Sequence, residues 1–155
     1  MSWFALAILV FASAGLVFYQ VATPLWLNRF QKQSAALIDT PNGAAALLLV
    51  AVAEVRGPIS ILERSIIERQ LTSTLSLHAD ATAHLVDEAI EVVSTNPHPG
   101  HVLEEVSHIL KHKFVNVERQ QFITMAQRVS RAHDGPTLDQ QQAIERLVTR
   151  LKILH

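Results

Sequence analysis

The chain has 155 residues, of which 49% are hydrophobic and 17% charged, and its 13 basic and 14 acidic residues give a formal net charge of −1 at pH 7. Since no stripe of basic residues is present, nucleic acid is not an expected partner. The absence of cysteine excludes disulfides, thiolate metal sites and a cysteine nucleophile.

A run of 25 residues without a formal charge, residues 3–27, lies near the start of the chain. A helix needs about 20 apolar residues to cross ~30 Å of hydrocarbon, so this run predicts one transmembrane helix within an anchor over residues 1–30. The residues expected to hold this anchor at the two membrane interfaces are aromatic or basic: Trp3, Tyr19, Trp26, Arg29 and Lys32. The lipid bilayer is therefore an expected partner.

The orientation of the anchor follows from its basic residues. Arg29 and Lys32 follow the run and no Lys or Arg precedes it, so the positive-inside rule places the N-terminus outside and the C-terminal domain in the cytoplasm, at a bacterial inner membrane. Small residues within the run would allow close contact with another transmembrane helix: Ala12, Ser13, Ala14 and Gly15. An alternative interpretation is a cleaved signal peptide, with a small-residue cleavage site at residues 12–14.

The first helix beyond the anchor is predicted over residues 43–55. A polar stretch, residues 31–42, precedes it and is interpreted as a linker or an extension of the anchor. Residues 43–55 are rich in Ala, Leu and Val and are apolar on nearly all sides, which predicts the buried central helix of a bundle. Gly57 and Pro58 end this helix.

A second helix is predicted over residues 61–75. Ser60 and Glu63 have the spacing of a capping box, in which the hydroxyl accepts a backbone N–H and the carboxylate reaches back to the cap. The apolar residues of this helix recur at the spacing of one broad face: Leu62, Ile66, Ile67, Leu71 and Leu75.

Two further helices are expected in the middle of the chain. One begins near Asp80, whose carboxylate suits a helix N-terminus, and continues to about Ser94. The Asn-Pro-His-Pro-Gly sequence of residues 96–100 interrupts the helical pattern, and an amphipathic helix is then predicted over residues 101–114.

The fifth helix is predicted from residue 117 to about residue 132. The last helix is predicted to begin after Thr137. Gln140 lies three residues beyond Thr137, and this spacing indicates a second capping box. No segment has the alternating pattern of a strand. The sequence therefore predicts an all-α domain of about six helices over residues 43–155.

Two stretches of the domain are alike, since residues 52–63 and residues 129–142 each read as a helix end, a glycine turn and a capped helix start. With these turns, the chain resembles the tellurite-resistance TerB-like family over residues 43–154. That family has an acidic turn of the form Asp-Gly-x-apolar-Asp-x-x-Glu. In the second turn of this chain the residues that match the pattern are Asp134, Gly135 and Asp139. One residue is inserted in that turn, and Gln142 occupies the position of the Glu. In the first turn the matching residues are Gly57, Ile59 and Glu63.

The resemblance implies a helical fold whose acidic turns would bind a hard divalent cation, because such ions prefer carboxylate oxygens. In this chain Arg56 and Ser60 replace the two aspartates of the first turn, which removes negative charge from it. Asp134 and Asp139 remain as metal candidates, although both also suit turn and helix-start positions.

Histidine is the other metal candidate, since the chain contains eight. His108 and His112 are four residues apart on a predicted helix and could share a Zn²⁺ ion, and the competing interpretation is a solvated polar face. No catalytic motif or phosphate-binding loop is present, so we expect neither an enzyme nor a bound cofactor.

The function predicted from the sequence is a non-catalytic, membrane-anchored interaction protein, an accessory or assembly subunit of a larger complex with other membrane protein subunits as partners. The alternative is a metal- or tellurite-stress-responsive TerB-like module that binds a divalent cation. A third hypothesis is a small enzyme with a site assembled only in three dimensions. The sequence does not indicate an oligomeric state.

Overall fold

The computed structural model of the protein describes residues 31–96 and 98–151. The chain divides into two compact units, Met1–Gln33 and Ser34–His155. All regular structure in the described residues is helical, which confirms the all-α prediction. Within this part of the chain no helix is both long and apolar enough to cross a membrane. The predicted span, residues 3–27, lies outside it.

Residues 31–38 are helical, and six helices with both ends described follow. They are α1 Pro41–Glu54, α2 Ile61–Leu75, α3 Ala79–Ser94, α4 Pro99–Lys113, α5 Asn116–Ser130 and α6 Leu138–Arg150.

The first of these helices begins two residues before its predicted start at residue 43. Thr40 is its N-cap, and the Thr40 hydroxyl accepts a hydrogen bond from the Gly43 N–H at 3.1 Å. Pro41 then fits the first helical position, where its missing N–H costs nothing. The stretch interpreted as a linker also carries two buried side chains, Leu37 and Ile38.

The centre of the bundle is α1, as the sequence predicts. Every residue from 43 to 53 is buried, and α1 contacts all five of the other helices. Burying one Leu or Val side chain contributes about 1.5–3 kcal/mol, so this single helix supplies a large part of the hydrophobic stabilisation. A helix surrounded on all sides needs no polar face, and this explains its uniform composition.

The buried face of α2 differs from the predicted one at its N-terminus. Glu63, Ile67 and Leu71 are buried at four-residue spacing, whereas Leu62 is exposed. The prediction that Leu62 lies on the core face is therefore wrong. The physical reason is that Glu63, which caps the helix, points into the domain in the first helical turn. Leu62, one residue earlier, lies about 100° away around the helix and therefore faces solvent.

The two ends of α1 define two ends of the domain. At the N-terminal end, which we call the proximal end, the Lys113 ammonium contacts the Asp39 carboxylate, so the last turn of α4 lies beside the chain that leads into α1. At the C-terminal end of α1, the Val52 carbonyl accepts a hydrogen bond from the Gln140 side chain of α6. A 14-residue helix is about 21 Å long, and this separates the two ends.

Candidate functional site

The two glycine turns that the sequence identifies as alike lie against each other in the structure. His133 Nε2, in the turn between α5 and α6, is 3.3 Å from Ser60 Oγ, in the turn between α1 and α2. The Gln140 side-chain amide donates to the Val52 carbonyl at 3.3 Å, so the second turn also contacts the end of α1. We call this region, formed by residues 55–63 and 131–140, the double-turn end.

Each turn depends on a glycine with a positive φ angle. Gly57 has φ +138° and Gly135 has φ +109°, backbone conformations that side chains with a Cβ rarely adopt. A proline follows each glycine and helps to start the next helix segment. Glycine at these two positions thus allows the backbone conformation of both turns.

Both predicted capping boxes are confirmed. Ser60 Oγ accepts from the Glu63 N–H at 3.2 Å, and the Glu63 carboxylate accepts from the Ser60 N–H at 2.9 Å. In the second turn Thr137 Oγ1 accepts from the Gln140 N–H at 3.2 Å, and Gln140 Oε1 accepts from the Thr137 N–H at 3.1 Å. Each pair satisfies backbone donors that the first helical turn leaves free.

The capping roles show which residues of the two turns are equivalent. Glu63 is 4% exposed and Gln140 is 1% exposed, and both are the third residue of a capped helix that reaches back to its cap. The sequence comparison instead placed Gln142 at the position of Glu63, but Gln142 is exposed. Since the two turns differ by one residue in length, only the cap geometry fixes this equivalence.

Ser60, His133 and Glu63 are the residue types of a hydrolytic triad, but their geometry does not match one. The Ser60 hydroxyl donates to the Glu63 carboxylate at 2.8 Å, and His133 Nε2 lies 3.8 Å from the same carboxylate oxygen. In a catalytic triad the carboxylate accepts a hydrogen bond from one imidazole nitrogen, and the serine hydroxyl donates its hydrogen bond to the other imidazole nitrogen. Here the hydroxyl is held by the carboxylate, so the cluster fixes the two turns and does not prepare a nucleophile.

Glu54, the last residue of α1, brings a further carboxyl group to the double-turn end. Its side chain is half-buried, and burial raises the pKa of the Glu54 carboxyl above its ordinary value of 4.5. The physical cause is desolvation, which disfavours the charged form.

Two large apolar side chains project from the double-turn end into solvent. Ile61 is 90% exposed and Leu138 is 68% exposed, and they are the first residues of α2 and α6. They therefore occupy equivalent positions directly after the two caps. Leu62, beside Ile61, is also exposed.

The predicted metal candidates lie on different elements. Asp134 is in the second turn, Asp139 is in the first turn of α6, and both are exposed. His108 and His112 are exposed on α4, with ring centroids 4.8 Å apart in an edge-to-face arrangement. Across residues 31–96 and 98–151, no group of three or more His, Asp or Glu side chains is placed to hold a metal ion.

Of the predicted anchor residues, the structure describes Lys32, which is exposed on the helical residues 31–38. The others lie outside the described residues, together with the residues predicted to contact another transmembrane helix: Trp3, Ala12, Ser13, Ala14, Gly15, Tyr19, Trp26 and Arg29.

Sequence reasoning missed the contact between Ser60 and His133 and the burial of Glu63. One signal could have found the contact, because each of these residues lies in one of the two similar turns. Nothing in the spacing shows that the turns touch, since Ser60 and His133 are 73 residues apart.

Comparison of the chain with known protein families, with curated proteins and with solved structures finds no match. The TerB-like resemblance therefore stays a prediction from the sequence.

Proposed function

We propose that this protein is a non-catalytic, membrane-anchored interaction protein that acts as an accessory, assembly or stabilising subunit of a larger membrane protein complex. The observation that carries the proposal is the pair of apolar side chains, Ile61 and Leu138, exposed at the double-turn end. The capping boxes and the contact between Ser60 and His133 hold the backbone beneath them. A partner would meet a preorganised surface, which lowers the entropy lost on binding.

The anchor in this proposal is residues 1–30, with the domain on the cytoplasmic side of an inner membrane. Its support is the uncharged run over residues 3–27 and the basic residues Arg29 and Lys32 that follow it. Confinement to the membrane raises the effective concentration of the domain near other membrane subunits, so a small apolar contact suffices for association.

Crosslinking in membranes, followed by purification of the tagged full chain in mild detergent and quantitative mass spectrometry, tests the proposal. Membrane subunits should co-purify with the protein. The double variant Ile61→Ser with Leu138→Ser should lower their recovery about tenfold or more, because exposed apolar anchors carry most of the free energy of such contacts.

The matched control replaces two exposed side chains of α5 that lie outside the double-turn end, Gln120→Ser with Gln121→Ser. This variant should retain the co-purifying subunits. Recovery of the protein alone, or equal loss in both variants, would contradict the proposal.

Titration of the full chain with Ca²⁺, Mg²⁺ or Zn²⁺ addresses the alternative function: stoichiometric binding that Asp134→Asn or Asp139→Asn abolishes would favour a metal-responsive module.

A further inference from the structure

The proximal end carries a second exposed patch, which we call the proximal surface and define by Lys111, Lys113, Val115 and Val117. The two lysines are in the last turn of α4, and the two valines flank the first residue of α5. All four residues are exposed, and Val117 is 70% exposed. Exposed apolar and basic residues thus occur within seven positions of the chain, residues 111–117, where α4 passes into α5.

The backbone that displays the two valines is held by specific contacts. Phe114, between the two helices, is buried and packs edge-to-face on Phe122 with ring centroids 5.5 Å apart. The Glu118 carboxylate accepts a hydrogen bond from the Val115 N–H at 3.1 Å. The valines therefore project from a fixed turn.

The local stability of α5 does not explain a valine at residue 115. Val115 occupies the N-cap position, and its side chain makes no capping hydrogen bond. Apolar residues are among the poorest N-caps, and replacing a Ser, Thr, Asp or Asn cap by an apolar residue costs about 0.5–2 kcal/mol. At the double-turn end the same position holds Ser60 and Thr137, which do cap their helices. Capping and packing within the domain therefore give no reason for an exposed valine at this position.

The position of the proximal surface relative to the chain favours a lipid contact. Lys113 contacts Asp39, two residues before α1, and a Cβ on Gly43 would overlap the Leu37 carbonyl, so the chain leading into α1 lies against the proximal end. Only six residues lie between Leu27, the end of the proposed membrane span, and Ser34, where this unit begins. The seven Cα–Cα steps from Leu27 to Ser34 reach at most ~25 Å even when fully extended, so the proposed anchor would tether the start of this unit near the bilayer.

We infer that the proximal surface rests on the membrane, with Val115 and Val117 in the headgroup region and Lys111 beside anionic lipid headgroups, while Lys113 stays paired with Asp39. This inference rests on the membrane anchor of the proposed function. Apolar side chains next to basic ones are the combination that interfacial membrane contacts use. With the proximal surface on the lipid, the double-turn end faces away from the membrane, where Ile61 and Leu138 meet the extramembrane part of a partner.

Site-directed fluorescence tests this orientation, because a chain without cysteine accepts a single label at any position. Val117→Cys, carrying an environment-sensitive dye, is reconstituted as the full chain in nanodiscs of mixed neutral and anionic lipid. Doxyl-labelled lipids, which quench on contact, should reduce its emission about twofold or more, as for a side chain that enters the headgroup region.

Leu138→Cys is the matched control, since Leu138 is 68% exposed and Val117 is 70% exposed, each near the start of a helix. Its dye should not be quenched. In the Val117→Cys background, Lys111→Glu should lower the quenching at residue 117. The same charge reversal at the exposed residue Arg131, at the double-turn end, should leave the quenching at residue 117 unchanged.

The outcomes separate the inference from the proposal beneath it. A chain that enters nanodiscs but shows equal, weak quenching at residues 117 and 138 overturns the inference and leaves the anchor standing. A chain that does not enter nanodiscs overturns both. Protection of residue 117 from labelling in native membranes, without quenching in nanodiscs of the purified protein, would assign the proximal surface to a protein partner and would also overturn the lipid contact.

Discussion

The Glu63 carboxylate contacts both turns of the double-turn end. It is buried and accepts hydrogen bonds from the Ser60 N–H and the Ser60 hydroxyl, and His133 Nε2 lies 3.8 Å away. A buried carboxylate is stable only when such partners replace water. One side chain therefore caps α2 and also connects two turns that are far apart in sequence.

Replacing Glu63 by alanine should destabilise the domain by roughly 1–3 kcal/mol, because it leaves the half-buried Ser60 N–H without its acceptor. Glu118→Ala is the matched control, since Glu118 makes the same contact with the Val115 N–H at the more exposed start of α5. Water can replace the Glu118 carboxylate, so the loss there should stay below about 1 kcal/mol. Thermal unfolding of the full chain in detergent, followed by circular dichroism, measures both; equal losses would contradict the role of Glu63.

Glu54 predicts a dependence of stability on pH. Burial raises the pKa of its carboxyl in the folded protein above the ordinary value of 4.5, so the folded state binds the proton more tightly than the unfolded state. Protonation of Glu54 therefore stabilises the folded state relative to the unfolded state. This contribution is fully present below about pH 4.5 and is lost as the pH rises through the raised pKa of the folded protein. At pH 7 the charged carboxylate therefore costs the folded protein free energy.

Glu54→Gln should accordingly stabilise the protein at pH 7, and this gain should disappear at pH values below about 4.5. Urea denaturation of both proteins across this pH range provides the measurement. Glu91→Gln, on the exposed face of α3, is a charge-matched control that should give a much smaller gain. A gain at Glu54 that does not change with pH would show that desolvation of the carboxylate is not its cause.

Helix α1 contacts all five of the other helices, and the segment that precedes it packs closely against its first turn. A Cβ on Gly43 would overlap the Leu37 carbonyl oxygen, so only glycine allows this close approach. The buried side chains of Leu37 and Ile38 extend the core in the same region. The segment before α1 thus belongs to the packed domain although its composition is that of a linker.

Gly43→Ala should therefore destabilise the protein by about 1–3 kcal/mol, although alanine normally favours a helix, because the Leu37 backbone cannot move without disturbing the core. Gly100→Ala, near the start of α4, has no atom within 4 Å of its added Cβ. That control should be neutral or slightly stabilising, by up to about 1 kcal/mol. Chemical denaturation compares the two, and equal stability would mean that residues 34–38 do not pack against α1.

The domain as a whole has two chemically different ends. The double-turn end combines a buried polar cluster with the exposed apolar residues Ile61 and Leu138, and the proximal end combines exposed valines with lysines. About 21 Å of α1 lies between them. The proposed partner contact uses the double-turn end, and the inferred lipid contact uses the proximal end.

Local patterns in the sequence were sufficient for much of this architecture. The apolar composition of residues 43–55 predicted the central helix, because a helix enclosed on all sides must be apolar on all sides. Ser60 with Glu63 and Thr137 with Gln140 predicted two helix starts, because a capping box involves only residues three apart. The all-α class followed from the absence of alternating segments.

What only the tertiary structure decided are the contacts between residues distant in the chain. The approach of His133 to Ser60, the burial of Gln140 against Val52 and the outward direction of Leu62 depend on how the helices pack around α1. A capping box or an amphipathic pattern determines where one helix begins and which of its faces is buried. Whether two turns meet depends on the crossing angles and relative positions of all the helices that lie between them in the chain. The sequence alone therefore determined the helices, and packing determined which of their ends form a common surface.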